Sequence, residues 1–102
     1  MSAILVTMQF RLYEHKPRTV WLELNQQLDA WSSRQPGFRF RSLSETADGK
    51  WILIICWGNA EAAHAAEERF REDMEDAVIP FIDPDSYCSH RSRAHSMLQA
   101  QG

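Results

Sequence analysis

The chain is 102 residues long, carries a net charge of −3 and has a sequence pI of about 5.7. That length supports one domain with a single modest core, and 44% hydrophobic against 25% charged residues is the balance of an ordinary globular protein. A mildly acidic chain with no basic run has no electrostatic footprint for nucleic acid or for an anionic membrane surface.

The opening MSAILVTMQF has no basic leader, and Gln9 and Arg11 soon interrupt its apolar residues. It is therefore expected to be neither a signal peptide nor a membrane span. Cys56 and Cys88 are too few for a disulfide framework, so reduced thiols and a cytoplasmic location are expected.

From Ile4 to Leu12 the chain alternates, with Ile4, Val6, Met8, Phe10 and Leu12 on one side and Leu5, Thr7, Gln9 and Arg11 on the other. Period two over nine residues predicts a strand. A helix is predicted from about Pro17 or Thr19 to Arg34, because Trp21, Leu24, Leu28 and Trp31 recur at three- and four-residue steps. Gln35-Pro36-Gly37 ends it, since the residue before Pro is kept out of helical geometry and Gly allows the turn. A second strand is predicted over Phe38 to Ser44, with Phe38 and Phe40 on one face and Arg39, Arg41 and Leu43 on the other.

Asp48-Gly49 is a hairpin signal, and it leads into Trp51–Trp57, WILIICW. Seven apolar residues rich in Ile and Trp, closed by Gly58, predict a strand buried on both faces. Asn59 is suited to cap a second helix, with Glu61 in its first turn. Ala63, Ala66, Phe70, Met74 and Ala77 form that helix's buried stripe, and Pro80 ends it. A loop over Ile82 to Ser86 and a polar last strand from Tyr87 to about His95 follow. Residues 1–96 thus read as one domain, with a loose tail over 97–102.

The predicted order β-α-β-β-α-β is the ferredoxin-like split unit. It is an α+β fold in which four antiparallel strands carry two helices on one face, with the first and third strands central. Two helices cover only one face of that sheet. In the third strand Trp51, Leu53, Ile55 and Trp57 are assigned to the helices, which leaves Ile52, Ile54 and Cys56 on the uncovered face. An apolar patch of that kind marks an interaction surface. A second copy of the same sheet is the expected cover, giving a homodimer related by a two-fold axis.

Three segments carry a family resemblance: Pro36-Gly37-Phe38, Gly49-Lys50-Trp51 and Trp57-Gly58-Asn59-Ala60-Glu61-Ala62-Ala63. Taken over nearly the whole chain, the sequence resembles the antibiotic-biosynthesis-monooxygenase-like proteins of the dimeric α+β barrel group. The resemblance implies a barrel-like homodimer. It also implies one of several activities, since members include cofactor-independent quinone-forming monooxygenases, haem-degrading enzymes and proteins with no established reaction. The family's frequent second-helix His falls nearest Ala66 here, with His64 out of step. The first-strand Asn of the haem degraders has no counterpart, that region holding Thr7 and Gln9.

Among candidate chemical groups, His64 projects away from the helix stripe and reads as solvated. Asp73 projects into the stripe, either as the partner of Arg69 one turn earlier or as a pocket-rim carboxylate with a raised pKa, fit to abstract a proton. The four Trp residues read as core or as an aromatic pocket, with Trp57 at the strand end where pockets tend to open. His90 and His95 lie an odd number of residues apart on a strand and cannot chelate one metal together, and no ligand cluster predicts a metal. Cys56 and Cys88 fall on strands that the first strand separates.

Two readings follow. In the first, the protein is a monooxygenase acting without metal, flavin or other cofactor on an aromatic or polyketide-like small molecule. Trp57, His90 and Asp73 are then the candidate catalytic groups, and Trp57, Tyr87, Gln9, Arg11 and Trp31 the candidate substrate contacts. In the second, it is a non-catalytic ligand-binding or structural dimer. A polar-lined cavity between helices and sheet favours the first, and a filled core the second.

Overall fold

Trp51–Trp57 is a strand, as its unbroken apolar run predicts, and it lies inside the sheet. The computed structural model describes residues 2–100. Its elements run β1 (Ile4–Phe10), α1 (Arg18–Ser33), β2 (Phe38–Glu45), β3 (Trp51–Trp57), α2 (Ala60–Asp73), a one-turn α3 (Glu75–Val78) and β4 (Cys88–Arg93). Strand order is β2-β3-β1-β4 and every pairing is antiparallel. This is the ferredoxin-like fold, with β1 and β3 central. Of the tail assigned to 97–102, Gln101 and Gly102 lie outside the described residues. Met97 lays its sulfur 3.8 Å from that of Cys56.

Local chemistry accounts for the corners. Gly49 takes φ +88° in the β2–β3 turn, where the Thr46 N–H donates to Lys50 C=O at 2.8 Å. Gly37 takes φ +82° after α1, and a Cβ there would stand 2.5 Å from Ala62 Cβ. The absence of that methyl lets the α1–β2 turn seat against the start of α2, where Gly58 N–H donates to Gly37 C=O at 2.7 Å. Asn59 caps α2 through its side-chain oxygen, which accepts from Ala62 N–H at 2.8 Å.

The helices bury one sheet face. Residues paired across neighbouring strands share a face, and Val6↔Ile55, Met8↔Leu53 and Phe10↔Trp51 all point to the helix side. On the other face stand Leu5, Thr7 and Gln9 beside Cys56, Ile54 and Ile52. Cys56 and Cys88 are both free.

Two elements depart from simple periodicity. In β2 the register shifts between Phe38 and Phe40, so Phe38 pairs with Trp57 while Phe40 pairs with Cys56. Trp57 and Cys56 face opposite ways, and therefore so do Phe38 and Phe40, against the expected common face. The extra residue of the bulge turns the strand over. Arg41 and Leu43, opposite Ile55 and Leu53, lie with Phe38 on the helix side.

The second helix breaks at Met74 (φ −128°, ψ −20°), six residues before Pro80. The break advances the phase by one residue, so Val78 is buried and the expected Ala77 is exposed. The last strand is also shorter than expected at each end.

Candidate functional site

The core is divided. One cluster holds Phe10, Trp21, Leu28, Trp51, Leu53 and Val78. The other gathers Ile4, Val6 and Trp57 under Ala63 and Ala66, whose small side chains let α2 come close. Met8 and Ile55 pack against both clusters and line a cavity of about 650 Å³ between the helix layer and the sheet. That volume falls within the ~300–1,000 Å³ range of small-molecule sites. Trp31 and Phe70 roof it, meeting edge to face at 6.0 Å between ring centroids. Tyr13, Ile79 and Tyr87 line it while being exposed, which marks the mouth.

Of the residues singled out from sequence, Trp57, Trp31 and Tyr87 come together on this cavity. Trp57 is 3% exposed and braced edge to face by Phe38 at 5.9 Å. The others stand elsewhere. Gln9 pairs with Ile52 on the uncovered sheet face. The Arg11 guanidinium is tied to the β2–β3 turn, donating to Asp48 C=O at 2.6 Å and to Asp48 Oδ2 at 2.9 Å. His90 pairs with Thr7 on the uncovered face, its Nε2 3.4 Å from Cys88 Sγ.

Asp73 is exposed at the end of α2, where its Oδ2 accepts from Trp31 Nε1 at 3.1 Å. Arg69 turns instead to Gln35 Oε1, at 3.1 Å. Asp73 thus joins α2 to α1 and sets the tilt of the Trp31 ring from outside the cavity. His64 is a surface residue, 2.9 Å from Glu68.

Sequence reasoning did not single out Arg41 as a site residue. Its side chain is only 5% exposed although it lines the cavity wall. Nη1 donates to Asp29 Oδ1 at 2.6 Å and Nη2 to Asn25 Oδ1 at 2.8 Å. Asn25, itself buried, is anchored by its Nδ2 to Trp21 C=O at 2.9 Å. Burial pulls the Arg41 pKa below its ordinary value, against the hydrogen bond and the charge of Asp29, which push it back up. It remains a cation at neutral pH. The available signal was an arginine sharing a predicted strand face with Leu43; what hid it was the bulge.

Three more charged groups line the cavity. Glu67 is paired with Arg91 of β4, while Arg71 and Glu75 stand at the α2–α3 break. Glu75 makes no ion pair among the described residues. Chemically, the site offers aromatic walls, the buried Arg41, the Glu67–Arg91 pair, and Arg71 and Glu75, a cation and a carboxylate without ion pairs among the described residues. No three His, Cys, Asp or Glu residues among those described come together as a metal set.

A point variant of SnoaB, a cofactor-independent oxygenase from Streptomyces nogalater, superposes with a TM-score of 0.80 at 17% identity, over 98% of this chain and 100% of that one. A candidate antibiotic biosynthesis monooxygenase from Nitrosomonas europaea gives 0.78 at 14% identity, over 92% and 91%. A dimeric ferredoxin-like protein from an uncultured marine organism gives 0.75 at 11% identity, over 99% and 95%. The chain has the fold of these proteins. No family model matches the sequence, and no curated protein does. No helix among the described residues is long and apolar enough to cross a membrane.

Proposed function

We propose that the chain is an antibiotic-biosynthesis-monooxygenase-like protein that binds an aromatic or polyketide-like small molecule in the helix–sheet cavity and oxidises it with dioxygen, without a cofactor. The observation that carries this reading is the cavity itself. It is large enough for a fused-ring ligand, walled by Trp31, Trp57 and Phe70, and open to solvent beside Tyr87. A filled core would have left only the structural reading. The likeness of fold to a cofactor-independent oxygenase supports the same choice, though fold alone does not assign chemistry.

The proposed chemistry relies on the substrate. An acidic methylene of an anthrone-type ring gives up a proton, and the carbanion passes one electron to dioxygen. Radical and superoxide join through a new C–O bond, the peroxide anion takes back the proton held by the base, and the hydroperoxide loses water together with the second methylene hydrogen to leave a carbonyl. Both hydrogens and all four electrons come from the methylene, so no reductant enters. The chain supplies a dry, shaped site and a base. Glu75, lining the cavity and without an ion pair among the described residues, is better situated for that base than Asp73 or His90, which do not line it. Trp57, Trp31 and Tyr87 are the proposed substrate contacts.

The assembly proposed is a homodimer formed through the uncovered sheet face. Oxygen uptake with a panel of anthrones and hydroxyquinols, compared with anaerobic incubation, tests the enzyme reading. Consumption that Glu75→Gln lowers by at least tenfold is expected. If no panel member is consumed and Trp57→Phe alters stability alone, the non-catalytic binding reading replaces it.

A further inference from the structure

We propose that Arg41 makes the cavity selective for an aromatic ligand bearing an ionised oxygen, a carboxylate, phenolate or enolate, which the guanidinium receives. This rests on the cavity being a ligand site.

Arg41 reaches the cavity only because the β2 bulge re-aims the strand beyond Phe38. Once there, it is the one charged lining residue with a side chain more than nine-tenths buried. A guanidinium has five N–H donors. The protein takes one from Nη1 and one from Nη2, which leaves three without a partner among the described residues.

The ion pair with Asp29 does not cancel the charge felt inside. Asp29's side chain is 63% exposed on the solvent side of α1, whereas Arg41's is 5% exposed. Water screens the outer, negative end and leaves the inner, positive end in a low-dielectric wall. The pair is thus a dipole whose cationic end is the less solvated, on a side chain that lines both the cavity and a more open hollow shared with Asn25 and Asp29. Of the other lining charges, Glu67 is partnered by Arg91, and Arg71 and Glu75 bring one charge of each sign near the α2–α3 break. The dominance of burial over Asp29 in depressing the Arg41 pKa is the same incomplete compensation seen from the other side.

Tryptophan quenching by a matched pair of probes, anthraquinone-2-carboxylate and anthraquinone-2-carboxamide, tests the inference. Wild type is expected to hold the carboxylate about tenfold tighter, the equivalent of ~1.4 kcal/mol. Arg41→Gln should bring the two probes level, and Arg41→Lys should keep part of the preference. Asp29→Asn, on the surface, should strengthen carboxylate binding severalfold and leave the amide unchanged. A purely structural ion pair predicts the reverse for Asp29→Asn, namely loss of both.

Equal binding of the two probes by wild type, or a preference that survives Arg41→Gln, overturns the role of Arg41 and leaves the cavity reading standing. Binding of neither probe overturns the cavity reading itself. Should Arg41→Gln fail to fold, the wild-type and Asp29→Asn comparisons decide alone.

Discussion

Two identical substitutions at two buried tryptophans should have unequal costs. Trp21→Phe and Trp31→Phe each remove the pyrrole edge of an indole, about three heavy atoms. At ~0.8 kcal/mol per buried carbon-sized group that costs about 2 kcal/mol in either place. The N–H groups differ. Trp21 Nε1 is buried and has no partner among the described residues, and such an orphan donor costs ~1–3 kcal/mol to keep. Phenylalanine relieves that cost, so Trp21→Phe should fall within about 1 kcal/mol of wild type. Trp31 Nε1 donates to the Asp73 carboxylate at 3.1 Å. Because Asp73 is exposed, the bond is taken as ~1 kcal/mol after solvent screening, and Trp31→Phe should lose about 3 kcal/mol. Urea denaturation reads the gap of about 2–3 kcal/mol as midpoints separated by roughly 1–2 M, for m near 1.5 kcal/mol/M. If both variants lose the same amount to within about 0.5 kcal/mol, the Trp21 N–H is paired and the reasoning fails.

Gly37→Ala should destabilise by about 3 kcal/mol in the same assay, since it combines a positive φ with a Cβ 2.5 Å from Ala62 Cβ. A loss under about 1 kcal/mol would mean the turn shifts freely. Asn59→Ala removes the α2 cap and should cost about 1 kcal/mol, read as a lower Tm by calorimetry; an unchanged Tm would count against the cap. Light scattering should give wild type twice the 11.9 kDa chain mass, and Ile54→Lys, on the uncovered face, should return it to one; a monomeric wild type removes the dimer. The hydrogen bonds from Thr46 and Arg11 hold the Asp48 carboxyl below its usual range. A depressed folded pKa stabilises above the unfolded value, ~3.9, and that contribution is lost as pH falls through the folded value. The stability of Asp48→Asn should therefore fall less than that of wild type between pH 7 and pH 3, and equal falls would refute the clamp.

The candidate site is partly legible in the sequence: a strand end marks Trp57, an apolar helix stripe marks Trp31, the last strand carries Tyr87, and all three line the cavity. Gln9 and His90 lie on the two strands flanking the hollow and Arg11 just beyond the first of them, but strand membership does not say which face is hollow. In β1 the helix side belongs to Val6, Met8 and Phe10, and in β4 to Ser89, Arg91 and Arg93, of which Ser89 lines the cavity. Asp73 closes α2 one turn after Phe70, but its carboxylate accepts from the Trp31 indole outside the cavity, and Glu75, beyond the break at Met74, is the carboxylate on the cavity wall.

Period-two alternation, the WILIICW run, the Trp–Leu stripe of α1, and glycine and asparagine at the corners are local signals. Each depends on which backbone geometry a few neighbouring residues prefer, and together they were enough to specify the element order and the sheet. Register and volume are not local. The Phe38–Phe40 bulge appears only when β2 is laid against β3, and the cavity exists only because two separate clusters draw the layers together at either end. Arg41, which lines that hollow, depends on both. A strand's period assigns each side chain to a face; the packing of distant elements decides whether that face is filled or left open.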